Sequence, residues 1–183
     1  MSCMDTSRTK RLRKALYCLG FKPFETILDV GCGAGLLFKH IVDPIGVIVG
    51  VDIARELLNI AKKLIKNSRL NEVFLVRADA DFLPFRDGVF DKVFAITLLQ
   101  NMSIYLLTFN EIARVAKDDS VIVITGLKKT FSRKSLSDAL RRAHLNFFLL
   151  DDEEDIKCYI AICSKGTSSK NINKREVEMI ARW

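Results

Sequence analysis

Apolar and polar residues fall in blocks along this chain, and the period of the blocks switches repeatedly between strand-like and helix-like. Arg11 to Leu19 has a short helical stripe of Leu12, Ala15, Leu16 and Leu19, ended by Pro23. Thr26 to Val30 is a run of branched apolar residues closing in glycine and predicts a buried strand. Gly35 to Val42 has helical spacing, and Pro44 with Gly46 marks a turn. Val47 to Ile53 predicts a second strand, and Ala54 to Lys66 an amphipathic helix with Leu57, Leu58, Ala61, Leu64 and Ile65 on one stripe. Val73 to Ala78 is a third strand, followed by a polar loop from Asp79 to Gly88. Phe90 to Leu99 predicts a fourth strand, Ile104 to Ala116 a helix, and Val121 to Leu127 a fifth strand. Ser132 marks the start of a helix running to Leu145, and Phe147 to Leu150 and Ile156 to Cys163 complete the pattern as two final strands.

Strand and helix alternate, and the middle strands are continuously apolar, which is the pattern of a parallel sheet covered on both faces. The last two strands are joined only by the acidic run Asp151 to Asp155 and must pair as an antiparallel hairpin. The expected architecture is therefore one α/β, Rossmann-like domain, with a seven-stranded, mostly parallel sheet, one antiparallel strand near an edge, and helices on both faces. Residues 1–25 form a basic helical segment in this reading, residues 26–165 the domain, and residues 166–183 a polar tail with room for a short final helix.

Composition narrows the class. A chain of 183 residues with 49% hydrophobic and 28% charged residues can bury one sizeable core. No stretch approaches the roughly 20 apolar residues of a membrane helix, and the N-terminus carries no apolar signal region. Five scattered cysteines argue for a reducing compartment, hence a cytoplasmic protein, and against a disulfide framework. With two histidines and no CxxC pair, no metal site is expected. The net charge of +7 is uneven: basic residues crowd positions 8–22 and recur at Lys128, Lys129, Arg133, Lys134, Arg141 and Arg142. Such clusters neutralise phosphates, and equally serve as solvated helix faces.

The candidate chemistry starts at Asp29-Val30-Gly31-Cys32-Gly33-Ala34-Gly35, between the first strand and the following helical block. Glycines there allow a tight turn and close approach of a ligand. A following helix would aim free N–H groups at it, and open α/β sheets collect ligands at the carboxyl ends of their strands. The spacing is G-x-G-x-G, not the G-x-G-x-x-G of dinucleotide binders. Asp29, two residues before the first glycine, repels a pyrophosphate and suits a cationic ligand, such as the ammonium of a methionine moiety or a sulfonium. Asp52, ending the second strand, can accept both hydroxyls of a ribose.

These residues resemble the first two motifs of class I S-adenosylmethionine-dependent methyltransferases. The stretch from Ala78 to Asp91 resembles the "DAxxLPFxDxxFD" segment of their ubiquinone-biosynthesis-type branch. The match runs from about Thr26 to Lys128. The resemblance implies S-adenosylmethionine as cofactor. It places Asp29, Gly31 and Gly33 at the methionine end, Asp52 on the ribose, Ile53 against the adenine, and Asp79 and the Ala80 backbone at the adenine amino group. Cys32, read as a small filler rather than a nucleophile, and Thr97 complete the cofactor set.

The segment after the fourth strand, Ile96 to Met102, faces the transferring methyl in such folds. It lacks the Asn/Asp-Pro-Pro-Tyr/Phe arrangement of base and glutamine N-methylation, and no Pro-Cys pair for pyrimidine carbon methylation occurs. Gln100, Asn101 and Tyr105 are the candidate substrate-contacting residues, with a helix N-cap as the competing role for Gln100 and Asn101. The chain lacks room for an elaborate lid. Together with the basic clusters this favours an O or N acceptor on RNA (tRNA or rRNA), ahead of a protein and then a lipid-like or quinone-like molecule. A S-adenosylmethionine-binding scaffold subunit stands as the alternative. A user of decarboxylated cofactor would need acidic residues that Ile96 to Met102 lacks. The third strand should lie at a sheet edge, where Val73 to Val76 is wholly apolar. Such an edge calls for a cover, either a second copy or a small activator protein.

Overall fold

Thr26–Val30 (β1) lies inside the sheet, and both of its faces are buried: Ile27 on one and Leu28 on the other have no exposed surface. The structure is a computed structural model and describes residues 22–41, 46–68, 72–150 and 158–166. Val47–Asp52 (β2) and Phe90–Ala95 (β4) flank β1 in parallel register, with Leu28 opposite Val49 and Val93. Val73–Arg77 (β3) pairs outside β2, and Ala116–Leu127 (β5) outside β4. Leu145–Leu150 (β6) and Cys158–Lys165 (β7) complete a seven-stranded sheet of order β3-β2-β1-β4-β5-β7-β6. β7 is the reversed strand, antiparallel to both β5 and β6. It lies one place in from the edge because the β6–β7 hairpin folds back into the gap beside β5. The strand order reverses between β1 and β4, which opens a crevice at their carboxyl ends.

Three helices follow from the predicted amphipathic blocks. Arg55–Lys66 (α1) covers one face with Leu58 and Ala61, over a cluster that includes Ile27, Phe38, Ile48 and Phe94. Tyr105–Val115 (α2) and Arg133–Arg142 (α3) cover the other, burying Phe109, Ile112, Leu136 and Leu140 against Leu28, Val93 and Ile122. Each such side chain contributes roughly 1.5–3 kcal/mol of transfer free energy. α3 starts where Ser132 predicts it: Ser132 Oγ accepts from the Ser135 N–H, and Ser135 Oγ accepts from the Ser132 N–H in return. It stops early, at Arg142, because His144 takes a left-handed conformation (φ 55°) and turns the chain into β6.

Several boundaries differ from the sequence pattern. The helical spacing of Gly35 to Val42 yields only one 3₁₀ turn, Leu37–His40, and Ile41 is already extended. The positive φ of Gly33 and Gly35 keeps the chain out of helix until Leu36, which leaves too few residues for an α-helix. β4 ends at Ala95 rather than Leu99, and β5 begins five residues early, at Ala116. The polar start of β5 is held from the side: Lys117 Nζ donates to Asp91 Oδ1 at 2.7 Å, beside a register shift between Phe90 and Lys92. Asp91 also accepts from the Thr26 N–H (2.8 Å) and the Thr26 hydroxyl (2.7 Å). Burial opposes its ionisation, but Lys117 and Thr26 outweigh that and hold its pKa down at about 2. The helical block Arg11 to Leu19, the acidic run 151–155 and the tail beyond Gly166 lie outside the described residues. Among the described residues no helix is long and apolar enough to cross a membrane.

Candidate functional site

The loop after β1 is tied to the end of β2 by its backbone. The Gly31 and Cys32 N–H groups both donate to the Val51 carbonyl, at 2.8 and 2.9 Å. The Gly33 N–H donates to Asp52 Oδ2 at 2.8 Å and the Ala54 N–H to Asp52 Oδ1 at 2.9 Å. Gly31 has φ +74°, and a Cβ there would lie 2.8 Å from Leu98 Cδ1, so the turn and the close approach of the segment after β4 both require glycine. At Gly33 (φ +53°) an added Cβ would meet only Leu57 Cδ1, at 3.9 Å, leaving that side of the loop open to a ligand.

Two carboxylates meet at this turn. Asp29 is 3% exposed at the end of β1, and burial first, then the charge of Asp52, push its pKa up to about 7. A buried carboxyl in that state is ready for a cation: a positive group beside it would restore the ionised form. Asp52 is half-buried and already accepts two backbone N–H groups, but two carboxylate oxygens carry about four acceptor positions, so capacity remains for hydroxyl donors. The Cys32 side chain turns into the cluster with Phe38 and Ile48. Its thiol is raised by burial and by Asp29 and Asp52, so it stays protonated and offers no nucleophile. The short 3₁₀ turn after the loop supplies no α-helix dipole. The carboxylates and loop amides therefore carry the electrostatics that a helix was expected to share.

The raised Asp29 makes the site pH-dependent. Between roughly pH 4 and pH 7 the folded chain holds a proton that the unfolded chain releases, so the stability of the unliganded protein falls as pH rises through this window. A cationic ligand favours the ionised form. Its binding at pH 6 is therefore expected to release a proton, with affinity rising up to about pH 7. Calorimetry in buffers of different ionisation enthalpy measures that proton, and Asp29→Asn should abolish both effects. A pH-independent affinity with no proton release would refute the assignment.

Around this centre the structure brings the other sequence-selected residues to one end of the sheet, at different depths. Ile53 follows β2 and is 61% exposed, its carbonyl accepting from Arg77 Nε at 3.0 Å. Asp79 is exposed and accepts from the Asp81 N–H at 3.0 Å, while Ala80 is buried in the core. Thr97 takes a left-handed conformation (φ 61°), its N–H held by Thr125 Oγ1 at 2.8 Å. Strain of this kind in a β-branched residue persists only where surroundings impose it. Leu99–Asn101 forms a 3₁₀ turn, with Gln100 Nε2 donating to the Thr97 carbonyl and Gln100 Oε1 buried without a partner. That contact fixes the amide orientation, since a flip would set two oxygens together. Neither Gln100 nor Asn101 caps α2: the cap position is Ile104. Tyr105 opens α2, with its ring 5.4 Å from Phe131 and 6.0 Å from Phe109.

Sequence reasoning missed the residues that hold these pieces. Arg114 donates to the Leu83 and Phe85 carbonyls at 2.9 and 2.7 Å and pairs with Glu111 and Asp87, while Glu111 accepts the Leu83 N–H. The Leu83–Gly88 half of the third motif is thus a scaffold pinned to α2. Thr108 Oγ1 donates to Asp81 and ties the first half of that loop to the same helix. Phe82, between them, is 73% exposed. The motif itself signalled the loop, but none of its partners 27–31 residues downstream.

Residues 28–124, more than half of the chain, match a family model described as "Methyltransferase domain". The chain is 35% identical over 126 residues to the demethylmenaquinone methyltransferase of Halalkalibacterium halodurans, covering 67% of this chain and 51% of that protein. It is 30% identical over 118 residues to the ubiquinone/menaquinone biosynthesis C-methyltransferase UbiE of Wigglesworthia glossinidia brevipalpis, covering 62% of this chain and 47% of that protein. It thus spans about half the length of these relatives. The structure superposes on a SAM-dependent methyltransferase from Aquifex aeolicus with a TM-score of 0.71 at 21% identity, covering 87% of this chain and 98% of that one. The buried acid before the glycine turn, the acid that ends β2 and these likenesses agree, and the chain belongs to the methyltransferase-domain family of class I S-adenosylmethionine-dependent enzymes.

Proposed function

We propose that this chain methylates a small apolar, aromatic acceptor of quinol type at carbon or oxygen, with S-adenosylmethionine held by Asp29, the Gly31–Gly33 turn, Asp52, Ile53, Asp79 and the Ala80 backbone. The carrying observation is the distribution of exposed apolar side chains. Among the described residues nine large apolar side chains are exposed, and six of them, Leu36, Ile53, Leu57, Phe82, Ile104 and Leu107, lie on segments at the carboxyl ends of β1, β2, β3 and β4, whereas Phe24, Ile60 and Phe74 lie elsewhere. An apolar rim around a mouth lined by carboxylates favours a flat, poorly hydrated acceptor over a polyanion. The activities named for the two curated relatives support the same class.

When bound, S-adenosylmethionine supplies an electrophilic methyl group on a sulfonium. The residues of the chain position and desolvate. In this reading Asp29 neutralises the methionine ammonium, Asp52 holds the ribose, and the Thr97–Asn101 turn faces the acceptor. Gln100 Oε1, buried without a partner, lacks a donor that an acceptor hydroxyl provides. Positioning in line with the methyl lowers a barrier by roughly 7–11 kcal/mol, so a dedicated base is not required. Gln100→Leu is expected to lower kcat/KM by about 10- to 100-fold with the cofactor Kd unchanged, as for loss of one buried hydrogen bond of roughly 1–3 kcal/mol. Unchanged kcat/KM would remove Gln100 from the site.

RNA is the second reading, favoured by Lys128, Lys129, Arg133 and Lys134. These lie after β5 and at the start of α3, on the same end of the sheet as the mouth, whereas Arg141 and Arg142 end α3 at the opposite side. The deciding experiment offers purified chain and S-adenosylmethionine a short-chain demethylated quinol or bulk tRNA and rRNA, and reads S-adenosylhomocysteine release. Turnover with the quinol alone supports the first reading. Turnover with RNA alone replaces it with the second, and turnover with neither refutes both.

A further inference from the structure

β3 ends the sheet, and among the described residues nothing pairs with its backbone on the outer side. The ladder with β2 starts where the Ile48 N–H donates to the Glu72 carbonyl at 2.8 Å and ends where the Ala78 N–H donates to the Asp52 carbonyl at 3.3 Å. Between them residues 74 and 76 face β2. The N–H and C=O groups of Val73, Leu75 and Arg77 therefore point away from the sheet. Beside them a groove of about 690 Å³ runs between β3 and α1, with Leu58, Ile65, Val73 and Leu75 among its lining residues. Its polar lining is one stripe of α1, Arg55, Asn59, Lys62 and Lys66, together with Arg77 of the strand. Among the described residues no carboxylate lines it, and Phe74 on the edge is 53% exposed.

We propose that this edge is a docking site for an extended, acidic segment of another protein, which adds as an eighth strand beside β3 and sets carboxylates against Arg55, Lys62, Lys66 and Arg77. The open backbone groups supply the ladder, carboxylates on the strand face turned toward α1 meet the cations, and the alternate apolar side chains lie beside Phe74 on the opposite face. A second copy does not fit. A two-fold pairing of β3 with itself would bring the same four cations of each copy toward one another with no lining carboxylate to separate them. Edge cations also discourage non-specific strand pairing. In this groove that repulsion is what an acidic partner removes. The inference is independent of the methyl acceptor.

The probe is a synthetic peptide about ten residues long, alternating valine and glutamate, with blocked ends. Amide hydrogen exchange of the full chain is measured with and without it. Exchange is expected to slow about tenfold or more at Val73, Leu75 and Arg77, while Phe74 and Val76, already in the ladder, change little. A valine–lysine peptide, and a valine–glutamate peptide N-methylated on the amides of its pairing side, should give no such protection. The exposed double change Lys62→Glu with Lys66→Glu should weaken binding about tenfold at unchanged helical circular dichroism. Protection by the lysine peptide as strong as by the glutamate one, or no protection at millimolar peptide, would overturn the proposal. The peptide controls keep the test valid if the double variant folds poorly.

Discussion

Lys92→Ala is expected to cost about 3–5 kcal/mol of stability. Lys92 sits inside β4, opposite Ile27 of β1 and Val121 of β5, with 5% of its side chain exposed. Its Nζ lies 2.6 Å from both oxygens of Glu25, which is 12% exposed. Alanine would leave the largely buried Glu25 carboxylate with its cation removed and the Lys22 N–H as its remaining donor among the described residues, too little to match the desolvation already spent on it. The melting temperature should fall by roughly 10 °C, at about 2–4 °C per kcal/mol for a domain of this size. The pair itself need not add net stability, because both charges lost water to form it. Lys92→Met combined with Glu25→Leu should therefore recover most of the loss. A single mutant that melts within a degree or two of the parent would show that Glu25 finds water or another partner.

Asp52→Ala should abolish useful cofactor affinity while leaving the fold intact. The side chain fixes the Gly33 and Ala54 amides and, in the proposed function, receives the ribose hydroxyls. Loss of two charge-assisted hydrogen bonds, at roughly 1.5–3 kcal/mol each, predicts a Kd about 100-fold higher or more. The freed amides are only partly buried, so stability should change by about 1 kcal/mol. Asp52→Asn keeps one acceptor oxygen and should fall between. The same variants test the coupling to Asp29: with the Asp52 charge gone, one of the two causes raising the Asp29 pKa disappears, and its titration should move down. Calorimetric titration with S-adenosylmethionine, with NAD as control, reads the affinity. Binding by Asp52→Ala within threefold of the parent, or an equal response to NAD, would displace Asp52 from the ribose site.

The apolar patterning and the turn residues determined most of the architecture. Continuous apolar runs such as Val47–Val49 and Val121–Ile124 can be satisfied only by strands buried on both faces, so the parallel sheet, its helical cover and the reversed hairpin were legible in order. The glycine turn and its two acids were legible for the same kind of reason: Gly31 and Gly33 are demanded by positive φ, and Asp29 is an isolated charge in an apolar run. What the tertiary structure decided depends on partners far apart in sequence. Whether Gly35–Val42 winds into an α-helix was settled by the left-handed glycines before it, and the early start of β5 by Asp91 reaching Lys117. Arg114 holding the Leu83–Gly88 loop, Thr125 holding a strained Thr97 and Lys92 burying its charge against Glu25 are pairings 28 to 67 residues apart along the chain. Periodicity reports which face of an element is apolar. It carries no information about which polar group on a distant element will meet it, because that is fixed only when the sheet register brings the two together.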